Sequence, residues 1–237
     1  MLFAIVNGIK IGAKPQSKGI CPLCKQPVFS KCGEINRWHW AHSHQENCDT
    51  WHEPESFWHN HWKMTFGKEN AEIVIEKEGI RHIADIQTRE NVVIELQNSP
   101  ISKPVIRERE NFYGERMIWL INGREFKSYL TVKDFWEDKD YLELKSLPRP
   151  PKRWIRSRPE ILKGTNGEFF KWKKPRKSWE DVQRHLFIDF GEDSLFRVHE
   201  GMGTSQIRGT FISKEKFINK YGGSFEYYSQ AVLLPQS

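Results

Sequence analysis

The segment from Asp85 to Gln97 constrains the fold of this chain more than any other. Its second half, residues 91–97, reads Asn-Val-Val-Ile-Glu-Leu-Gln, an apolar run typical of a strand in which Glu95 and Gln97 point the same way. An Asp at the end of one strand and a Glu midway along the next can converge on one cation. Mg²⁺ is held in this way, by one or two carboxylates together with substrate phosphate oxygens. The segment therefore predicts a site for Mg²⁺ or Mn²⁺ and phosphodiester chemistry.

The residues around this segment predict an α/β (α+β) unit over residues 51–147. Glu55, His59 and Lys63 recur every fourth residue and would share one face of a helix over residues 55–66. The predicted order continues with strands near 72–76, up to 85–86 and over 91–97, a helix from Ser102 to about Tyr113, and a buried strand over 117–121.

Cys21 and Cys24 have the spacing of a zinc knuckle, in which two thiolates reach one tetrahedral ion. The other two ligands must come from a set of five residues: Cys32, His39, His42, His44 and Cys48. Residues three apart on a strand face opposite sides, so His39 and His42 can both bind only if the chain turns near Ala41. Cys48 with His42 is the alternative. We expect a structural Zn²⁺ that stabilises a small, polar β module over residues 1–50.

Four ordered motifs identify a family resemblance. Three flank the acidic segment: Cys21-x-x-Cys24 with His39-x-x-His42, then Glu55-Ser-x-x-His59-x-x-Trp-Lys63, and later Gln97-Asn-Ser99-Pro-Ile-Ser102 leading to Glu108-Arg109-x-x-x-Tyr113. Together with Asp85 and Glu95-x-Gln97, they resemble the CoiA-like competence proteins of the PD-(D/E)xK nuclease superfamily, with Gln97 where a Lys usually stands. The resemblance covers about residues 20–120.

The resemblance implies a restriction-endonuclease-like mixed sheet flanked by helices, and it implies roles for the motif residues. Asp85, Glu95 and the Leu96 carbonyl would bind Mg²⁺ or Mn²⁺, with Glu55, or Glu53 in its place, completing the acidic cluster. His59 would be a metal ligand or phosphate contact, Gln97 would orient the attacking water, and Lys63 could supply the missing cation. His39 and His42 would complete the zinc site. Ser99, Ser102 and Arg109 would contact phosphate or cap a helix.

The basic excess is concentrated late in the chain. The net charge is +6, and residues 148–186 contain 12 Lys or Arg against 4 Asp or Glu. This stretch also carries Trp and Phe, so it fits an arm that binds single-stranded nucleic acid, although its prolines fit a solvated linker equally well. The predicted DNA contacts here are Lys171, Lys173, Lys174, Arg176 and Lys177. Residues 148–184 are thus predicted to be a linker or arm, followed by a small α+β region over 185–237.

These observations favour a metal-dependent deoxyribonuclease that serves competence, recombination, phage or defence-related DNA processing. A non-cleaving nucleic-acid-binding protein is the alternative that Gln97 favours. A third is a scaffold for a recombinase, a motor ATPase or a defence-system subunit. No stretch of 18 apolar residues predicts a membrane span, and four Cys without an export signal predict a cytoplasmic protein with metal-bound rather than disulfide-bonded thiols.

Overall fold

The computed structural model describes residues 1–33, 38–43, 48–51, 55–132 and 168–233. The chain forms two compact units. The first comprises Met1–Ser99, Phe112–Ile118 and Glu215–Ser237, and the second comprises Pro100–Asn111 and Trp119–Lys214. The predicted zinc module and the predicted acidic site therefore belong to the same unit.

The first unit begins with an antiparallel five-stranded sheet of order β2-β1-β3-β4-β5. Its strands are β1 (Phe3–Val6), β2 (Ile9–Gly12), β3 (Lys18–Ile20), β4 (Pro27–Lys31) and β5 (His39–His42). Asn7 and Gly8 join β1 to β2 with φ values of 50° and 77°, the two positive φ angles of a type I′ hairpin turn. One face of the sheet carries the buried side chains of Val28 and Trp40 into the core of this module.

The chain after the N-terminal sheet follows the predicted order of helix, three strands and helix. Its elements are α1 (Phe57–Thr65), β6 (Ala71–Lys77), β7 (Ile80–Gln87) and β8 (Val93–Gln97), after which α2 (Lys103–Tyr113) leads to β9 (Met117–Asn122). β6 pairs with β7, and β7 pairs with β8, both antiparallel. All five residues of β8 are buried, so this strand is covered on both faces rather than half-exposed as its alternation suggests.

Helix α1 begins later than the sequence predicts. Ser56 is its N-cap, and the Ser56 hydroxyl oxygen accepts a hydrogen bond from the backbone N–H of His59 at 3.2 Å. Glu55 therefore precedes the helix, which begins after the Ser56 cap. Because the backbone at Glu55 is not helical, Glu55 does not share a helical face with His59 and Lys63. The buried face of α1 includes Trp62, which packs edge-on against Phe217 with ring centroids 6.0 Å apart. Phe217 lies in α3 (Lys214–Lys220), and α4 (Phe225–Leu233) follows it.

The second unit is built on a sheet in the order β9-β12-β13-β14-β11-β10. The strands after β9 are β10 (Leu130–Val132), β11 (Glu168–Trp172), β12 (His185–Asp189), β13 (Ser194–Glu200) and β14 (Gln206–Ser213). Two tryptophans, Trp119 and Trp179, meet edge-on in its interior with centroids 5.0 Å apart. A buried ion pair joins Lys214 Nζ to Asp189 Oδ1 at 2.8 Å.

The predicted linker over residues 148–184 is folded where the structure describes it. β11 pairs with β10 on one side and with β14 on the other. Trp172 and Trp179 are each 1% exposed, so they are core residues of the second unit and not stacking platforms for nucleic acid. The prolines that favoured a linker lie outside β11, which contains none. Residues 133–167, including Trp154, lie outside the described part of the chain.

Within the described residues, no helix combines the length and the apolar character needed to cross a membrane.

Candidate metal centre and acidic site

Four side chains of the first sheet module converge on one point. They are Cys21, Cys24, His42 and Cys48, and their ligand atoms all lie within 4.8 Å of one another. The Sγ atoms of Cys21 and Cys48 are 3.7 Å apart, and Cys24 Sγ lies 3.2 Å from His42 Nε2. A tetrahedral Zn²⁺ with Zn–S bonds of about 2.3 Å requires ligand edges of about 3.8 Å. A disulfide requires sulfurs about 2.05 Å apart. The cluster therefore fits a structural metal such as Zn²⁺, and its cysteines are free thiols.

The backbone and the neighbouring thiols prepare this cluster for a cation. Cys21 accepts the backbone N–H of Lys25 at its carbonyl and donates its own N–H to Gln26, which closes the knuckle turn that presents Cys21 and Cys24 together. The hydrogen bond from Cys48 lowers the pKa of the Cys21 thiol to about 5, against the opposing effect of burial. The same interaction raises the pKa of the Cys48 thiol. One of the three thiols thus ionises readily, and a metal bound at the cluster would displace the remaining thiol protons.

Cys48 takes the fourth position in this cluster, and His39 does not belong to it. Both histidines lie in β5, where residues three apart face opposite sides of the sheet. His42 is paired with Val28 on the core side, and His39 is paired with Lys31 on the other side. This corrects the ligand pair His39 and His42 that the family resemblance implied, in favour of the alternative with Cys48. Cys32 also lies outside the cluster, and His44 is outside the described residues.

Three acidic residues line up across β6, β7 and β8. Two residue pairs of β6 and β7 flank the position where Glu72 faces Asp85, since Ala71 pairs with Ile86 and Ile73 pairs with Ala84. Continuing the β7–β8 register by one residue beyond Ile86 and Ile94 places Asp85 opposite Glu95. Directly opposed residues on antiparallel strands have Cβ atoms about 5 Å apart. Glu72, Asp85 and Glu95 are called the acidic row below.

Carboxylates replace the backbone pairing where the row crosses β7 and β8. The Asp85 N–H donates to Glu95 Oε1 at 3.2 Å, and the Leu96 N–H donates to Asp85 Oδ2 at 2.9 Å. Each acid thus takes a hydrogen bond from the opposite strand, and the regular ladder ends at Ile86 and Ile94. The two predicted metal-binding carboxylates lie together because the sheet opens between them. Glu95 is 2% exposed, whereas the Asp85 side chain is 20% exposed.

Lys63 extends from α1 into this row. Its ammonium nitrogen lies 2.8 Å from Glu55 Oε1, 3.0 Å from Glu72 Oε1 and 3.0 Å from Asp85 Oδ1. Burial alone would lower the pKa of Lys63, but the carboxylates of Glu55, Glu72 and Asp85 raise it well above its usual value. Lys63 is therefore a permanent cation in the site.

The surrounding carboxylates respond to burial and to Lys63 in different ways. Burial raises the pKa of Glu55, which Lys63 only partly offsets. The pKa of Glu72 is lowered despite burial, because Lys63 lies beside it and backbone N–H groups donate to it. Those donors are Leu2 and Phe3 in and next to β1, at 2.8 and 3.0 Å. Glu72 thus stays ionised and joins the N-terminal sheet to the acidic row.

His59 is committed to protein contacts on both sides of its ring. Its Nε2 lies 3.2 Å from the Leu96 carbonyl oxygen, which can only accept, so Nε2 carries a proton. Its Nδ1 lies 2.8 Å from the Ser56 hydroxyl. The ring is 3% exposed. Both ring nitrogens thus have protein partners, which fit a residue that positions the Leu96 carbonyl, and the role of His59 as a metal ligand or phosphate contact stays a prediction.

The remaining motif residues hold the chain after β8. Gln97 is 1% exposed, and its side-chain NH₂ donates to the Ser99 carbonyl at 3.0 Å. The Ser102 carbonyl accepts the N–H of Ile106 in the first turn of α2, which begins one residue later, as predicted. Arg109 is buried in the second unit with its guanidinium 5.9 Å from the Trp119 ring centroid. Arg109 is therefore buried against Trp119, and its phosphate contact stays a prediction.

The predicted basic DNA contacts lie in the second unit, in β11 and directly after it. Four of the five, Lys171, Lys173, Lys174 and Lys177, are exposed. Lys174 Nζ lies 4.5 Å from the Tyr129 ring centroid. Arg176 is half-buried with its guanidinium 4.3 Å from the ring centroid of Phe126, and burial lowers its pKa. Arg176 therefore packs against the unit, while the lysines face solvent.

Sequence reasoning missed two acidic residues in the first unit. Glu72 is recruited by backbone donors about seventy residues away, a contact that leaves no local pattern. Asp49 follows the ligand Cys48 and accepts the N–H of Ile83 in β7 at 2.7 Å. Its other oxygen lies 3.0 Å from His82 Nδ1. Its position next to Cys48 is the one signal that could have identified it.

The fold and the site define an α+β protein that combines a Cys₃His metal cluster with a buried lysine–carboxylate site. Residues 10–50 match the family model described as "Competence protein CoiA, N-terminal domain". This match supports the resemblance of residues 10–50 to the CoiA-like competence protein family, and it suggests a competence-related role. No curated protein and no solved structure matches the chain.

Proposed function

We propose that this protein is a metal-dependent nuclease that hydrolyses phosphodiester bonds in DNA, with the acidic row as its active site and a restriction-endonuclease-like core. The observation that carries the proposal is the pairing of Asp85 with Glu95, where each carboxylate interrupts the sheet to accept a backbone N–H from the opposite strand. The element order of helix, three strands, helix and strand around this pair supports the same reading.

The charge balance of the site favours a divalent cation. Among the described residues, the four carboxylates of Glu55, Glu72, Asp85 and Glu95 lie near three ammonium groups. These are Lys63, the α-amino group of Met1, 3.8 Å from Glu55 Oε1, and Lys10, whose Nζ lies 3.3 Å from the Glu72 carbonyl oxygen. Buried negative charge in excess of its counter-charges is costly unless a cation or a proton neutralises it. Asp85 and Glu95 are the two carboxylates that would hold Mg²⁺ or Mn²⁺, and the partly exposed Asp85 gives the ion access from solvent. When bound, such an ion activates water and stabilises charge on the scissile phosphate.

Lys63 supplies the positive charge that Gln97 lacks. A Gln at the usual Lys position can hydrogen-bond a water or a phosphate oxygen but carries no charge. The ammonium of Lys63, 3.0 Å from Asp85, supplies a permanent positive charge beside the same carboxylate from a different element, α1. In this proposal Lys63 orients Asp85 and stabilises negative charge on the phosphate, and Gln97 fixes the turn after β8 through Ser99. His59 holds the Leu96 carbonyl in place.

The test is cleavage of supercoiled plasmid and of single-stranded circular DNA with Mg²⁺ or Mn²⁺. Asp85→Asn and Glu95→Gln should each lower the rate by more than about 100-fold, beyond the loss typical of outer-shell changes at a metal site. Glu90→Gln is the matched control, because Glu90 is an exposed acid in the turn between the same two strands. Thermal unfolding of all four proteins checks that the folds are intact.

A non-cleaving DNA-binding protein is the alternative that Gln97 favours. Wild-type protein that binds DNA but cuts neither substrate with either metal would establish that alternative. Equal cleavage by the wild type and by the Asp85 and Glu95 variants would instead place the active site elsewhere in the chain.

A further inference from the structure

The N-terminal sheet has an outward face opposite its core. On β3, β4 and β5 the side chains of Val28 and Trp40 point inward, with 0% and 1% exposure. The alternating positions on the same strands therefore point outward. They include Lys18, Phe29 and Lys31, where Lys18 is paired with Phe29 and Lys31 with His39. We call the side chains of Lys18, Ile20, Phe29, Lys31 and His39 the outer face.

The outer face combines cations with apolar and aromatic surface. Lys18 and Lys31 are exposed, Phe29 is half-buried and Ile20 is 40% exposed. Lys18 Nζ lies 5.8 Å from the Phe29 ring centroid. Trp38, immediately before β5, is 49% exposed. None of the described residues of β3, β4 and β5 is acidic.

The charge of this module is all of one sign over its first part. Residues 1–33 contain Lys10, Lys14, Lys18, Lys25 and Lys31 but no Asp or Glu. The carboxylates of the acidic row would repel a polyanion such as DNA, whereas the lysines of residues 1–33 would attract it. A surface with lysines around aromatic and apolar side chains has the composition that single strands require, because the phosphates meet the cations and the bases stack on the rings.

We propose that the outer face binds single-stranded DNA. The proposal specifies the class of substrate and rests on the proposed nuclease function for that meaning only, because the binding itself can be tested without cleavage. The lysines contact the phosphates, and Phe29 carries a stacked base.

The experiment measures fluorescence anisotropy of a labelled oligo(dT) of about 16 nucleotides, the upper range for one small binding module, with the full-length zinc-loaded protein and without Mg²⁺. Lys18→Gln/Lys31→Gln should weaken binding about 25-fold at roughly 0.1 M salt, since each lost lysine contact releases about 0.7 fewer counterions. The slope of log K against log salt should fall by about 1.4. Phe29→Leu should weaken binding about tenfold without changing that slope. Leu keeps the packing of a half-buried apolar residue.

The matched control is Lys216→Gln/Lys220→Gln, which removes two exposed lysines from α3. Binding by the Lys18/Lys31 variant that equals binding by this control would overturn the proposal. Equal affinity for a duplex of the same length would overturn the assignment to single strands. A protein that binds oligo(dT) through the outer face but cuts no DNA supports this inference and removes the proposed nuclease function. If the Lys18/Lys31 variant cleaves and binds DNA as well as the wild type does, this inference is overturned and the proposed nuclease function is supported.

Discussion

Replacing Lys63 by Met tests whether electrostatics organise the acidic row. Lys63 is 3% exposed and contacts three carboxylates at 2.8 to 3.0 Å. Removing one partner of a buried ion pair leaves uncompensated charge and typically costs about 3–5 kcal/mol. We expect a loss of this size in the free energy of unfolding at pH 7 to 8, measured by urea denaturation. Lys68→Met, at an exposed site just after α1, should change stability by less than about 0.5 kcal/mol.

The pH dependence gives the sharper test. In the wild type the lowered pKa of Glu72 and the raised pKa of Glu55 act in opposite directions, whereas in the variant both carboxylates act in the same direction. In the wild type, Lys63 helps to keep the pKa of Glu72 lowered, so the contribution of Glu72 is present at neutral pH and is lost only as the pH falls through that lowered value. Without Lys63, burial raises the pKa values of Glu55 and Glu72 in the folded state. The folded variant then binds protons that the unfolded chain does not, and its stability rises as the pH falls from 8 to 5.

The expected slope for the variant is about 1.4 kcal/mol per pH unit for each carboxylate that takes up a proton. The difference between the wild type and Lys63→Met should therefore shrink markedly toward pH 5. Adding Glu72→Gln to Lys63→Met should restore part of the lost stability at pH 8, because it removes one uncompensated charge. A deficit that is the same at pH 5 and pH 8, or no larger than that of Lys68→Met, would refute this account of the acidic row.

Three further predictions follow from the described contacts. His42→Ala should lose the bound zinc, measured as metal per chain by mass spectrometry after dialysis, whereas His39→Ala should keep it, since only His42 faces the thiols. Asp49→Asn should destabilise the first unit by about 1.5 kcal/mol. Hydrogen exchange should be faster at the Ile83 amide, which donates its hydrogen bond to Asp49. Trp172→Ala should cost about 3–5 kcal/mol in urea denaturation as a core residue of the second unit, with the neighbouring exposed Lys171→Gln within about 0.5 kcal/mol.

Local patterns predicted the elements of the first unit well. The turn at Glu78-Gly79 has φ values of 52° and 79°, and the strands on both sides begin and end there, as Glu-Gly between apolar runs suggests. The start of α2 after Ser102 and the apolar strand β9 also lie where their signals place them. These features depend on neighbouring residues, so a single sequence contains the information that determines them.

Long-range contacts set the limits of the sequence prediction. Glu72 was not identified, because its donors Leu2 and Phe3 come from the N-terminal strand. The sequence predicts a linker where β11 lies, because only the pairing of β11 with β10 and β14 makes Trp172 buried and its neighbouring lysines exposed. The net charge of the whole chain does not reveal that residues 1–33 contain lysines but no acidic residue, because the basic excess near the C-terminal end is larger. In each case the missing information was which segments meet in space.

The contacts of Glu72 and Asp49 change how the zinc module should be understood. Glu72 accepts two backbone N–H groups at the start of β1 and forms an ion pair with Lys63 of α1. Asp49, the residue after Cys48, accepts the N–H of Ile83 in β7, two positions before Asp85. The N-terminal module is therefore attached to β6 at Glu72 and to β7 at Ile83. A metal that fixed Cys48 would also fix Asp49, which holds the β7 backbone two residues before Asp85. A metal bound at the cluster would thus stabilise the acidic row through the backbone, without contributing a side chain to it.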